Sequence, residues 1–290
     1  MVAVLAAAAV GLSGVALLES RKAGAATATP GPVPTFGWSG LEPGSGTPTP
    51  SRKPTPTETP TPTLTPTATP TSASPAPDPA TGMDAVRELF DRKKTVSVLV
   101  LGDGSGDEND EWVAVWASTY LAKSGAVRYL VWDRATGAYG NDVTYGSGKP
   151  TVTVWNASRA AVDLSAEPAR VATVWHKADL VIYSYGHRKT ANDLSAALPK
   201  IYAAVQKKDS HTAALVMIQN PDPQTTEAKQ RAATQAVQTW ADENDLPTLD
   251  IYDAFIDDPH SRAQLVESDG SPTPVGSKLW AQTLNDALGN

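Results

Sequence analysis

The chain has 290 residues with 24 Lys and Arg against 31 Asp and Glu, a formal charge of −7, and no cysteine. Without cysteine there is no disulfide framework and no thiolate metal site. An acidic chain without a basic stripe has nothing to exchange for the counterions of a nucleic acid, and it is a poor partner for anionic surfaces.

Val2 to Leu18 is an uncharged apolar run, followed by Arg21, Lys22 and the small residues Ala23-Gly24-Ala25-Ala26. Residues 1–28 are therefore read as a signal peptide or a membrane anchor, the only part expected to meet a membrane. Residues 29–81 are a linker. Of the 24 prolines, 15 lie between Pro30 and Pro79, mostly in repeats such as Thr59-Pro60-Thr61-Pro62. A segment like this buries too little to offset its ordering entropy, and its proline favours polyproline II. About 50 residues at ~3.1 Å each make a semi-rigid stalk of ~150 Å, long enough for a cell wall. Export is expected, with the chain secreted or anchored at the extracellular surface.

Residues 82–290 carry the folded domain. A short helix is expected over 84–93, a buried strand over 95–101 and a helix over 110–123, where Trp112, Val113, Trp116 and Tyr120 recur at helical spacing. Strands follow at 127–132 and 151–155, a helix at 167–175, a strand at 180–185 and a helix at 192–206. A strand at 213–219, a helix at 227–243, a short strand at 248–252 and a closing helix at 274–288 complete the chain. Repeated strand-then-helix order predicts an α/β domain of about 200 residues, a three-layer doubly wound parallel sheet. Ligands of such sheets bind beyond the carboxyl ends of the strands. This places interest on the loops 102–109, 133–150, 156–165 and 186–191, and on 267–274 ahead of the last helix.

The first of these loops, Gly102-Asp103-Gly104-Ser105-Gly106-Asp107-Glu108-Asn109-Asp110-Glu111, admits several readings. As a phosphate cradle it lacks the third glycine of the dinucleotide spacing and the Gly-Lys-Ser/Thr of a P-loop, and its acids repel phosphate. As a calcium loop it has Glu108 where glycine is needed and Ala114 where a bidentate Glu belongs. Asp110 is expected to cap the next helix, with the other acids at its positive end. Neither a metal nor a cofactor is expected.

A third reading comes from a strand that ends in a Gly-Asp-Ser-like turn and opens a helix. This resembles the first block of the SGNH (GDSL-type) hydrolases. The order continues with Trp155-Asn156-Ala157-Ser158, with Tyr183-Ser184-Tyr185-Gly186-His187-Arg188, and with Met217-Ile218-Gln219-Asn220-Pro221. The tail Asp269-Gly270-Ser271-Pro272-Thr273-Pro274 resembles that family's Asp-x-x-His-Pro segment. The resemblance implies a flavodoxin-like hydrolase fold in which a serine attacks an acyl carbon. A tail His and Asp activate it, and backbone amides with an Asn side chain hold the oxyanion.

Four positions depart from the pattern. Gly104 stands at the serine place with Ser105 one residue later, the second block lacks its glycine, Arg188 takes the Asn place, and Pro272 takes the His place. Loss of a triad member costs a factor of ~10⁴ or more in rate. Compensation would need Ser105 with His187 or His260 and Asp269, with Asp103, Gly104, Asn156, Gly186 and Arg188 around the pocket. Arg188 would act there as an oxyanion donor or a carboxylate fork. Asp103 is equally suited to bracing the turn.

Two functions result. One is an ester hydrolase or deacetylase on acyl groups of cell-surface glycans or lipids, impaired by the missing His. The other is a non-catalytic module that binds glycan or a carboxylate in the same pocket, with Tyr139, Tyr145 and Tyr185 at its rim. The expected partner is a cell-wall glycan or an acylated small molecule, met by a monomer.

Overall fold

The computed structural model describes residues 82–91 and 95–289. The leader and the Thr/Pro-rich linker lie outside the described residues. In chain order the elements are α1 (Gly82–Asp91), β1 (Val96–Gly102), α2 (Trp112–Val115), a π-helical stretch (Trp116–Leu121) and α3 (Ala122–Ser124). Next come β2 (Ala126–Asp133), β3 (Ala138–Tyr145), β4 (Pro150–Asn156), α4 (Glu167–Val174), β5 (Leu180–Ser184) and α5 (Ala191–Lys208). The chain closes with β6 (Ala213–Ile218), α6 (Glu227–Glu243), β7 (Thr248–Asp250), α7 (Ile251–Asp257), α8 (Arg262–Leu265) and α9 (Pro274–Ala287).

The seven strands form one sheet in the order β3-β2-β4-β1-β5-β6-β7. Six run parallel, and β3 pairs antiparallel to β2 at the edge. The expected loop at 133–150 thus contains an edge strand, and the sheet is mixed rather than wholly parallel. Its sequence, Ala-Tyr-Gly-Asn-Asp-Val-Thr-Tyr, has too little apolar content to read as a strand. It needs only one partner and a hairpin to form.

Strand β1 explains the three layers. Val98 and Val100 face one helical layer, while Leu99 and Leu101 face the other, and all four are fully buried. A strand covered on both sides reads as an unbroken apolar run. On the first face, Trp112 stacks on Trp280 of α9 with centroids 5.1 Å apart and planes 3° from parallel. Trp116 and Phe255 complete that layer. On the second face lie Leu194 and Ile201 of α5 with Val237 and Trp240 of α6.

Three local expectations are corrected. The helix after the first loop starts at Trp112 with Glu111, not Asp110, as its N-cap, and it carries a π stretch in place of regular turns. The end of the 248–252 strand is the first turn of α7, because Asp250 caps that helix by accepting from Asp253 N. Pro259, after α7, leads into the short α8, which the chain's polar composition there concealed.

Candidate functional site

The site is built on the turns that follow β1, β4, β5 and β6. Asp103, the first residue past β1, is 2% exposed and serves as a hub. Its Oδ2 accepts from the amides of Gly186 and His187, each at 2.9 Å. Its Oδ1 accepts from Ser105 N at 3.3 Å, Ser105 Oγ at 3.0 Å and Gln219 Nε2 at 2.9 Å. A buried carboxylate persists when such donors surround it. Asp103 therefore ties the first turn to the third and to the end of β6, the bracing role open to it from sequence.

Ser105 is 1% exposed. Its hydroxyl donates to Asp103 and accepts from Gln219 Nε2 at 3.1 Å. Among the described residues no imidazole nitrogen hydrogen-bonds to it. A base within hydrogen-bond reach is what makes a serine hydroxyl a nucleophile. The one-residue displacement turned this side chain inward. At the preceding position, Gly104 has no side chain, and a β-carbon there would stand 3.1 Å from Ala160 Cα and 3.4 Å from its Cβ.

Ala160 lies in the second turn and is held against the first. Its amide donates to Asp107 Oδ2. Asn156, fully buried, donates through Nδ2 to Gly106 O at 2.7 Å and Tyr129 Oη at 3.0 Å, while its Oδ1 accepts from Ser158 N at 3.0 Å. Asn156 is thus a strut between turns, not a pocket residue. Behind it, Glu167 is 1% exposed and pairs with Arg159 and Arg170 at 2.9 and 2.7 Å, and it accepts from Tyr185 Oη at 2.6 Å.

His187, Arg188 and Asp269 do come together. Arg188 sits in the left-handed region with φ 55° and donates through Nη2 to Asp269 O. Asp269 Oδ1 accepts from Ser271 N at 3.0 Å. That bond, with smaller contributions from Arg188 and His187, holds the Asp269 carboxyl below its ordinary range. Gly270 has φ 90°, and a β-carbon on it would lie 2.7 Å from His187 Cε1 and 3.0 Å from Asp222 Oδ1. The imidazole and two carboxylates therefore crowd around a turn that only glycine fits. His260 is elsewhere: its Nδ1 lies 2.7 Å from Asp258 Oδ1 on the surface between α7 and α8.

Beside this constellation a cleft of about 460 Å³ opens between the 186–191 loop, the loop after β6, and the inner face of α6. Its floor is Ile218, Ala233, Val237 and Tyr252, and its rim includes His187, Arg188, Asp222 and Lys229. Sequence reasoning quoted Gln219 and Asn220 as strand residues without a role and passed over Asp222 and Lys229. The detectable signal was the polar run Gln219-Asn220-Pro221-Asp222 directly after an apolar strand. The rim tyrosines are corrected. Tyr185 does line the cleft, but it is 1% exposed and its hydroxyl donates to Glu167, so its ring is not free to stack on a sugar. Tyr139 packs between Trp132 and Trp155 with its hydroxyl on Val174 O, and Tyr145 lies against Tyr129. No group of three or more metal-ligating side chains occurs among the described residues.

No protein-family model and no curated protein matches the sequence. Solved structures do. An α/β-hydrolase enzyme from the metagenome of Lake Arreo, Spain, is 12% identical over 68% of this chain and 96% of its own, with a TM-score of 0.51. A structure described as a GDSL-like lipase from Parabacteroides merdae is 12% identical over the same shares, 68% and 96%, with a TM-score of 0.50. Similarity at this identity speaks to fold, while function resides in the site. The described domain thus has the fold of the SGNH, or GDSL-type, hydrolases, as the order of its turns implied.

Proposed function

We propose that this domain is a non-hydrolytic binding module built on an ester-hydrolase fold and displayed outside the cell on its Thr/Pro-rich stalk. The observation that carries the reading is the state of the nucleophile. Gly104 at the serine place has Ala160 against it, and Ser105 beside it is sealed by Asp103 and Gln219. What remains open is the adjacent cleft, with its apolar floor and its rim of His187, Arg188 and Lys229. An apolar pocket with a few convergent polar groups is the ordinary form of a small-ligand site. The ligand class in this reading is a cell-wall glycan.

The test has two arms. Wild type and Ser105→Ala are expected to hydrolyse p-nitrophenyl acetate at the same background rate, and a loss of turnover in Ser105→Ala would restore the enzyme. In the second arm the protein is retained on cell-wall fractions and Arg188→Ala weakens retention. Undiminished retention would remove Arg188 from the site.

One observation favours a hydrolase: His187 and Asp269 stand together at the turn where a base and its orienting acid belong. That reading requires a serine hydroxyl at the imidazole, and the first arm decides it.

A further inference from the structure

Of the seven tryptophans among the described residues, Trp112, Trp116, Trp240 and Trp280 are at most 3% exposed. The other three, Trp132, Trp155 and Trp175, are half-buried and pack at the margin of the second core layer. Two of them belong to one ring cluster outside the cleft, on the face of the sheet formed by β2, β3 and β4. Tyr139 wedges edge-on between Trp132 and Trp155, 5.0 Å from each, and its hydroxyl donates to Val174 O at the end of α4. His176 stacks on Trp155 at 3.8 Å with planes 2° apart. Its side chain is exposed, so its far face continues the stack into solvent. Burial and the nearby Arg128 hold this imidazole below its ordinary range, which keeps the ring neutral at pH 7.

A polar row runs beside the rings. Residues two apart on a strand share a face, and the cross-strand partners Arg128 and Thr153 stand one such step from Leu130 and Trp155. Arg128 donates through Nε and Nη2 to Asp142 at 2.8 and 2.6 Å, and both side chains are about half exposed. Each carboxylate oxygen keeps a free lone pair. The Thr153 hydroxyl and the Trp132 indole N–H have no hydrogen-bond partner among the described residues, and neither is sealed from water. Along the β2–β3 hairpin and the segment 175–179, Arg128, Arg134 and Lys177 are matched by Asp133, Asp142 and Asp179, so the platform has no net charge.

Large half-buried rings outside the core mark a contact surface. The groups beside them select the partner. An anionic headgroup or acidic peptide needs net positive charge here, and an apolar protein face would leave the Arg128–Asp142 pair and the free donor without partners. A sugar has a flat face of C–H groups for the rings, and hydroxyls that both donate and accept for the row alongside. We infer that this face is a second binding site, separate from the cleft, for a neutral glycan chain. Its sugar faces lie against His176 and Trp132, and its hydroxyls meet Asp142, Thr153 and the Trp132 indole N–H. The platform is wider than one ring, so an oligosaccharide covers it better than a single sugar. This site stands or falls without the cleft.

Calorimetric titration of the full-length chain tests it, with cellohexaose, glucose and hexagalacturonate as probes. Cellohexaose is expected to bind at ~1 mM or tighter, with the other two at least about ten-fold weaker. His176→Ala, at an exposed position, should weaken cellohexaose about five-fold, the size of one aromatic contact. Trp132→Ala should weaken it at least about ten-fold, the loss of an anchor. Should Trp132→Ala fail to fold, His176→Ala decides alone. Absence of cellohexaose binding, equal affinity for glucose or hexagalacturonate, or an affinity that His176→Ala leaves unchanged overturns the inference. Two further readings identify other occupants and also overturn it. One is binding to phosphatidylcholine vesicles, without sugar binding, that His176→Ala weakens. The other is a dimer in sedimentation, again without sugar binding, that His176→Ala dissociates.

Discussion

The Ser105 hydroxyl donates to the Asp103 carboxylate across 3.0 Å, and both side chains are at most 2% exposed. A serine held this way is a structural pin. The same carboxylate accepts from the Gly186 and His187 amides, so the pin fastens the turn after β1 to the turn after β5.

Asp103→Ala strands five donors, namely the amides of Ser105, Gly186 and His187, the Ser105 hydroxyl and the Gln219 amide. Each unsatisfied buried donor costs on the order of 1–3 kcal/mol, less where the turn relaxes to water, so a loss of at least about 3 kcal/mol is expected. Asp103→Asn keeps an acceptor and should lose less. Urea unfolding of the two variants checks this, and an equal loss in both would contradict the hub.

Stability should fall as pH rises, through Glu111. Burial pushes its carboxyl up to about 8 from 4.5, aided by Glu108, Asp107 and Asp110 nearby. The folded state therefore holds this proton more tightly than the unfolded chain. The resulting stability is complete below about pH 4.5 and is lost as pH climbs through 8. One proton gives a slope of at most ~1.4 kcal/mol per pH unit. Glu111→Gln keeps an acceptor for Glu108 N and should flatten most of the slope. Asp107, raised by the same burial, retains a share. Denaturation at pH 5.5 and pH 8 measures it, and identical slopes in wild type and variant would refute it.

Glu167→Gln breaks a buried ion cluster. The carboxylate is 1% exposed, and it offsets two guanidiniums with side chains 23% and 11% exposed. Removing one member of such a cluster costs about 3–5 kcal/mol, because the others stay buried without compensation. Thermal unfolding should show a matching drop. A variant as stable as wild type would mean that the guanidiniums reach water.

Gly276→Ala tests the seat of α9. A β-carbon there would lie 2.0 Å from Leu265 O, a backbone atom that cannot swing aside. The helix must shift, carrying Trp280 off Trp112, at a cost of about 3 kcal/mol. A Gly276→Ala variant with an unchanged midpoint would show that α9 is free to move.

The sequence was sufficient for the sheet and its two covers, because a strand buried on both faces is apolar without interruption, as Val98 to Leu101 are, and amphipathic helices follow such strands at readable spacing. It also revealed what the first turn and the tail lack, since Gly104 and Pro272 stand at fixed offsets from residues that match. It did not disclose β3, whose polar residues become a strand only beside β2, nor the inward turn of Ser105. Above all it left Gln219 an ordinary end-of-strand residue. Its contacts with Asp103, 116 positions away, and Ser184, 35 away, exist only once β1, β5 and β6 lie side by side. Periodicity records which face of an element is dry, and that much is local. Which polar atoms meet at the ends of neighbouring strands depends on register and crossover, and these are settled only by packing the whole sheet.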